Sequence, residues 1–171
     1  DWNNSEPDGL ETLLRQQRHI ESETNDRVAF LPEDGCPGPV EVKLNSSNVL
    51  LLLDTSWWLY PHEKPGLASC PNGSKEQFIQ AVDSLVQQHR TRNLFITGHH
   101  PMYSNGTHGG YSIFTDHLFP LLRVHDALYI PLPIIGSAIP LYRKFIGHPQ
   151  DLPNKDYKRL RKKLTHIFQQ H

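Results

Sequence analysis

The segment that most constrains the fold is an apolar run that ends in histidines and continues into a glycine-rich loop. Leu94, Phe95 and Ile96 lead through Gly98 into a Gly-His-His-Pro sequence at residues 98–101, and the loop brings a further histidine, His108. An apolar run of this length predicts a buried strand, and α/β folds bind ligands at the carboxyl ends of their strands. Three imidazoles within ten residues, among four glycines counted from Gly98, indicate metal or phosphate chemistry.

Length and composition favour a single globular domain. The chain has 171 residues, of which 37% are hydrophobic and 20% are charged, and its formal net charge is −1. This balance gives no electrostatic reason to expect nucleic acid or an anionic membrane surface as a partner. No apolar run approaches the length of a bilayer span, so we predict no transmembrane segment, and no signal peptide is visible.

The alternation of apolar segments predicts an α/β fold. A strand, a helix that opens with the capping box Ser74–Gln77, and a second strand follow one another, as in a crossover connection of a parallel sheet. The predicted elements are a helix at Pro7–Glu21, an edge strand at Val40–Leu44, a strand buried on both faces at Val49–Leu53, a helix from Ser74 to about His89, a strand at Leu94–Thr97, a helix at Ile113–Arg123, a proline-rich segment at Tyr129–Pro140 and a final amphipathic helix from about Asn154.

His99 and His100 are adjacent, so they are expected to point to opposite sides as the chain leaves its strand. One of them should face the site while the other packs or forms hydrogen bonds nearby. A lone histidine after a strand is more often structural, but the glycine-rich loop and His108 favour a functional interpretation.

Cys36 and Cys70 both lie in loops, next to Pro37 and Pro71. From spacing and context alone, a disulfide in an oxidising compartment and two free thiols in a cytosolic protein are about equally plausible. A zinc site is less favoured, since neither cysteine has a second ligand at the usual spacing.

The Gly98-His99-His100-Pro101 segment resembles the Gly-His-x-Pro motif of the calcineurin-like metallophosphoesterases, in the branch of the purple acid phosphatases. His108 lies nine residues after His99 and precedes a glycine, as a substrate-facing histidine does in that branch. Bacterial exported members of the family have similar loops. Three more segments resemble that subgroup, so that the likeness spans most of the chain: Cys36–Pro39, Asp54–Trp58 and Pro131–Pro133.

The resemblance implies a mixed β-sheet layered by helices, as part of the four-layer metallophosphoesterase sandwich. It implies a hydrolase of phosphate esters with a dinuclear centre of divalent or trivalent ions, such as Fe, Zn or Mn. His99 would be a metal ligand, and His108 would bind the substrate phosphate or act as the general acid. Tyr103 would bind substrate at the mouth of the pocket.

The family's Asp-x-His, Gly-Asp-x-x-Asp, Gly-Asn-His-Asp/Glu and Gly-His-x-His motifs are not present in full. The sequence begins at Asp1 without a methionine and stops at His171 inside a predicted helix. We therefore expect residues 1–171 to be the middle and C-terminal part of one metallophosphoesterase domain, truncated at both ends and inactive in isolation.

The exported relatives favour a disulfide between Cys36 and Cys70, and a periplasmic or other extracytoplasmic location, with a cytoplasmic one as the alternative. The main alternative function is a metallophosphoesterase-like binding domain without catalysis. A histidine-dependent acyl hydrolase is poorly supported, because the chain has no Gly-x-Ser-x-Gly elbow. Asp54 is expected to be structural, and Trp57 and Trp58 are expected to pack under a loop rather than to line a substrate site.

Overall fold

The computed structural model describes residues 2, 6–25, 27–104, 115, 118, 119, 121, 130–132, 137 and 151–171. The chain forms two compact units: unit 1 comprises Asp1–His100 and Leu160–His171, and unit 2 comprises Pro101–Arg159. The chain thus leaves unit 1 after His100 and returns to it at Leu160. That residues 1–171 form one domain stays a prediction.

Unit 1 contains a three-stranded sheet with the order β1-β2-β3. Strand β1 (Val40–Lys43) and strand β2 (Asn48–Leu53) are antiparallel neighbours, whereas β2 and β3 (Asn93–Gly98) are parallel. The parallel register pairs Leu53 with Gly98, so both strands end at the same level. A mixed sheet with helices confirms the predicted α/β class.

Four α-helices are described, each close to its expected position or, for the shortest, between expected elements. They are α1 (Gly9–Glu23), α2 (Thr55–Leu59), α3 (Lys75–Gln88) and α4 (Lys155–Gln170), and a 3₁₀ turn lies at Glu33–Gly35.

Helix α3 connects the two parallel strands, as the strand–helix–strand pattern predicts. The Ser74 side chain accepts a hydrogen bond from the Gln77 backbone N–H at 3.2 Å, which caps the first turn. Phe78, Val82 and Val86 are buried at the spacing of one helix face. The capping signal and the apolar period therefore fixed the start of α3 and its packing face.

The burial of the two parallel strands differs from the expectation. Strand β2 buries alternate residues, with Val49, Leu51 and Leu53 inside and Leu50 and Leu52 half-buried, so only one of its faces is fully covered. The prediction that both faces are buried is wrong.

Strand β3 was expected to be a buried, central strand, but among the described residues it pairs with β2 alone and lies at the sheet edge. Its Phe95 is 53% exposed. An apolar run reveals neither how many neighbours a strand has nor what covers its two faces, and this is the physical reason for both differences.

Cys36 and Cys70 form a disulfide with a Cα–Cα distance of 5.6 Å, which confirms the predicted pairing. The bond joins the loop before β1 to the loop before α3. The Pro37 carbonyl, next to Cys36, accepts a hydrogen bond from the Asp54 backbone N–H at 2.9 Å. The disulfide therefore braces the segment that contacts the end of β2.

Helix α4 begins where the sequence predicts, after Asn154, whose side-chain oxygen accepts hydrogen bonds from the backbone N–H groups of Asp156 and Tyr157. Leu160 and Leu164 are buried. The predicted helix at 113–123 and the proline-rich segment at 129–140 lie largely outside the described residues. No helix in the described part of the chain is long and apolar enough to cross a membrane.

Candidate functional site at the carboxyl end of β3

The candidate site begins where β3 ends. Gly98 is the last residue of the strand, and His99 and His100 follow it directly. Strand β2 ends beside them at Leu53, and the chain turns there into α2 at Thr55. The parallel register thus brings Thr55 and the histidine segment together from positions 45 residues apart.

His100 is anchored in the interior of unit 1. His100 is 5% exposed, and its Nδ1 lies 2.9 Å from the hydroxyl oxygen of Thr55. The same hydroxyl oxygen accepts the backbone N–H of His100 at 3.1 Å. Thr55 itself is 1% exposed. The buried Thr55 hydroxyl therefore forms hydrogen bonds with both the ring and the backbone of His100 and holds both in place.

His99 is exposed, in contrast to its neighbour. The two imidazoles meet edge to face, with ring centroids 4.9 Å apart and an angle of 81° between the planes. The expectation that the adjacent histidines point to opposite sides is wrong, because their rings are in contact. Both residues follow Gly98, the last residue of β3, so the side-chain alternation of a strand no longer applies to them. Their burial nevertheless differs, since His100 is buried and His99 is exposed, and which of them faces a site stays a prediction.

Gly98 allows the strand to approach Thr55 closely. A Cβ atom at this position would lie 3.2 Å from the Thr55 methyl carbon and 3.3 Å from the Leu53 carbonyl oxygen. A side chain here would have to displace one of these neighbours. The glycine of the Gly-His-His-Pro segment is therefore explained by packing as well as by any role in ligand binding.

Asp54 ends β2 and caps α2. Its Oδ1 accepts the backbone N–H groups of Ser56 at 2.9 Å and Trp57 at 3.1 Å, and its Oδ2 accepts the indole N–H of Trp2. Burial raises the pKa of the Asp54 carboxyl above its usual value of 3.8, and the hydrogen bonds from Trp2, Trp57 and Ser56 act in the opposite direction. These contacts agree with the predicted structural role.

The two tryptophans of α2 are part of the core. Trp57 and Trp58 are almost fully buried, and the Trp57 indole N–H donates to the Pro65 carbonyl at 2.9 Å. Trp58 also meets the ring of Phe78, with centroids 6.0 Å apart. Packing is therefore the observed role of both rings, as expected.

For two further predicted site residues, His108 and Tyr103, the predicted roles stay predictions. His108 lies outside the described residues, so the expected approach of His108 to His99 stays a prediction. Tyr103 belongs to unit 2 and is 75% exposed.

Two residues with notable contacts were not singled out from the sequence. Thr55 is one of them, and the sequence signal for it is its position directly after a predicted strand that is parallel to the strand before the Gly-His-His-Pro segment. His89 is the other, and it is buried at the end of α3, where its Nε2 lies 3.2 Å from Glu41 Oε1.

The described part of the chain contains no group of three or more histidine, cysteine, aspartate or glutamate side chains arranged to hold a metal ion. Within the ranges that the structure describes, His99 is an exposed residue directly after the end of a strand with a parallel neighbour. An imidazole nitrogen fits one coordination position of zinc, iron or manganese.

Comparisons with protein-family models, with curated proteins and with solved structures found no match to this chain.

Proposed function

We propose that this chain belongs to a metal-dependent phosphoesterase of the calcineurin-like type, with the four-layer sandwich of that family, and that it contributes His99 to a dinuclear metal centre. The observation that supports the proposal is the presentation of His99. It follows the carboxyl end of a strand with a parallel neighbour, it is exposed, and the adjacent His100 is locked into the interior.

His99 would hold one ion through a neutral imidazole nitrogen. Since the described residues contain no complete ligand set, the other donors must come from outside them. The ions, when bound, supply Lewis-acid activation of water and neutralise charge that develops on the phosphoryl group.

His108 would donate a hydrogen bond to the substrate phosphate and a proton to the leaving ester oxygen, a task suited to a group that titrates near neutrality. Tyr103, whose ring is largely exposed, would contact the ester group of the substrate. The disulfide between Cys36 and Cys70 supports an extracytoplasmic location, because such bonds persist in oxidising compartments.

The test compares His99→Ala and His108→Ala in the natural full-length protein, with metal content and turnover measured on a nitrophenyl ester and on an alkyl ester. His99→Ala should lose one metal ion and nearly all turnover. His108→Ala should keep its metal and lose about 10²–10⁴-fold in rate, with a smaller loss on the nitrophenyl ester, whose leaving group needs no proton.

The exposed His19 on α1 provides the matched control, since His19→Ala removes an imidazole from the surface and should change neither quantity. Loss of metal in His108→Ala would make His108 a ligand instead of the acid. Metal binding without turnover in the wild-type protein would favour the inactive binding domain. Unchanged metal content in His99→Ala would overturn the proposal.

A further inference from the structure

We propose that Thr55 is the positioning residue of this site: its hydroxyl sets the backbone conformation that presents His99 to a metal ion. The inference rests on the function proposed above. It concerns a residue that does not contact metal or substrate and acts only through the His99–His100 segment.

The contacts of Thr55 go to the functional segment itself. Its Oγ1 accepts the His100 backbone N–H at 3.1 Å and lies 2.9 Å from His100 Nδ1. The direction of the second hydrogen bond depends on the tautomer of the ring. One hydroxyl therefore restrains the backbone and the side chain of the same histidine.

The backbone hydrogen bond acts on His99 through the geometry of the peptide unit. The His99 carbonyl and the His100 N–H lie in one plane, so a restraint on the N–H also restrains the ψ angle of His99. The second hydrogen bond orients the His100 ring, whose edge-to-face contact at 4.9 Å limits the positions open to the His99 ring. Both restraints converge on the exposed imidazole.

The surroundings of Thr55 make its hydroxyl hard to replace. The residue is buried, and its methyl carbon lies in the space that a side chain at Gly98 would need. Water therefore has little room to take over as acceptor for the His100 N–H. Removal of the hydroxyl would leave a buried donor with no acceptor from Thr55, or would let the histidine segment shift.

A purely structural role predicts a different outcome from a positioning role. A structural hydrogen bond contributes to unfolding free energy wherever it lies, and its loss leaves the metal affinity of the folded protein unchanged. A positioning hydrogen bond also changes that affinity, and residues that orient metal ligands typically contribute about 10–100-fold.

The experiment uses the natural full-length protein with the variants Thr55→Val, Thr55→Ser and Tyr60→Phe. Valine keeps the branched shape and removes the hydroxyl, whereas serine keeps the hydroxyl and removes the methyl. Tyr60→Phe is the matched control, because the Tyr60 hydroxyl also makes two hydrogen bonds, neither of which involves His99 or His100. It accepts the backbone N–H of Gly9 and donates to the Glu6 carbonyl. Thermal unfolding of each variant establishes that it is folded, and Thr55→Ala replaces Thr55→Val if the latter is not.

Two quantities are measured. Hydrogen exchange of the His100 backbone amide in metal-free protein should be about 10-fold faster in Thr55→Val than in wild type, and close to wild type in Thr55→Ser and Tyr60→Phe. The dissociation constant for Zn²⁺ should rise about 10–100-fold in Thr55→Val and less than about 3-fold in the other two variants.

Equal Zn²⁺ affinity in Thr55→Val and Tyr60→Phe would overturn the inference, as would a defect in Thr55→Ser as large as that in Thr55→Val. His99→Ala separates the two proposals. If it loses Zn²⁺ while Thr55→Val does not, only the positioning role fails. If His99→Ala binds Zn²⁺ like wild type, the proposed function fails.

Discussion

The hydrogen bonds at the two ends of the parallel pair β2–β3 differ in their exposure to solvent. At the amino end, Asn45 Oδ1 accepts the backbone N–H groups of Ser47 and Asn48 at 2.9 Å, and the Asn93 amide donates to Asn48 Oδ1 at 2.9 Å. Most of these hydrogen bonds link neighbours in sequence, and all are exposed.

At the carboxyl end, the hydrogen bonds of Asp54, Thr55 and His100 are buried or part-buried. Trp2 and Asp54 are 52 residues apart, and Thr55 and His100 are 45 apart. Polar groups at this end are removed from water and must find protein partners, whereas those at the amino end keep their solvent. The end that holds the candidate site is therefore the end whose hydrogen bonds are shielded from water.

The largest expected effect follows from removal of the disulfide that braces the carboxyl end. In the Cys36→Ala, Cys70→Ala double variant, the crosslink over 34 residues is lost, and the chain-entropy model gives a decrease of about 4 kcal/mol in unfolding free energy. Urea unfolding of wild type, with and without reductant, and of the variant measures it.

The same double variant tests whether the disulfide stabilises the carboxyl end of the β2–β3 pair more than the amino end. Exchange of the Asp54 amide, which donates to the Pro37 carbonyl, should accelerate more than that of the Asn48 amide, which donates to Asn45. Equal acceleration at both amides, or a loss below about 1 kcal/mol, would show that the disulfide does not act on one end in particular.

A smaller effect is expected from the buried carboxyl of Asp54. Its pKa is raised by burial, so the folded chain binds this proton more tightly than the unfolded chain. The stability that this provides is fully present below pH 3.8 and is lost as the pH rises through the folded pKa. Asp54→Asn removes the titration and keeps a good capping residue.

The unfolding free energy of wild type minus that of Asp54→Asn should therefore fall as the pH rises above 3.8. Denaturant unfolding of both proteins at matched ionic strength measures the difference. An increase of the difference over this range would mean that the hydrogen bonds outweigh the burial.

The smallest effect is expected at the amino end. Asn93→Ala removes an exposed hydrogen bond to Asn48 and should lower the unfolding free energy by no more than about 0.5 kcal/mol. Urea unfolding of wild type and Asn93→Ala measures the difference, which should lie close to zero. A loss above about 1.5 kcal/mol would remove the contrast between the two ends.

Local signals were sufficient to predict most of the described fold. The Ser74 cap placed α3, the apolar period of α4 placed its buried face, and the loop contexts of Cys36 and Cys70, read with the resemblance to exported relatives, predicted their bond. The first two signals lie within a few residues of the feature that they predict. The third concerns a disulfide, which a cysteine can form only with another cysteine.

The candidate site was predictable only in part. Alternation of adjacent residues predicted that His99 and His100 would point to opposite sides, whereas their rings are in contact and only their burial differs. The partner of His100 was not predictable in this way, because Thr55 reaches it only through the β2–β3 register. The exposure of Phe95 was missed for a related reason, since the number of strand neighbours is a property of the sheet and not of the strand.

The discontinuous sequence of unit 1 has a consequence for its synthesis. Residues 101–159 separate its two parts, and a ribosome adding about 5–20 residues per second needs about 3–12 s to make them. During that interval Leu160 and Leu164 do not yet occupy their buried positions. The contact of 3.1 Å between His171 Nε2 and Asp83 Oδ1 is also absent. The apolar surface against which Leu160 and Leu164 later pack therefore stays exposed for several seconds in the nascent chain, a state that chaperones recognise.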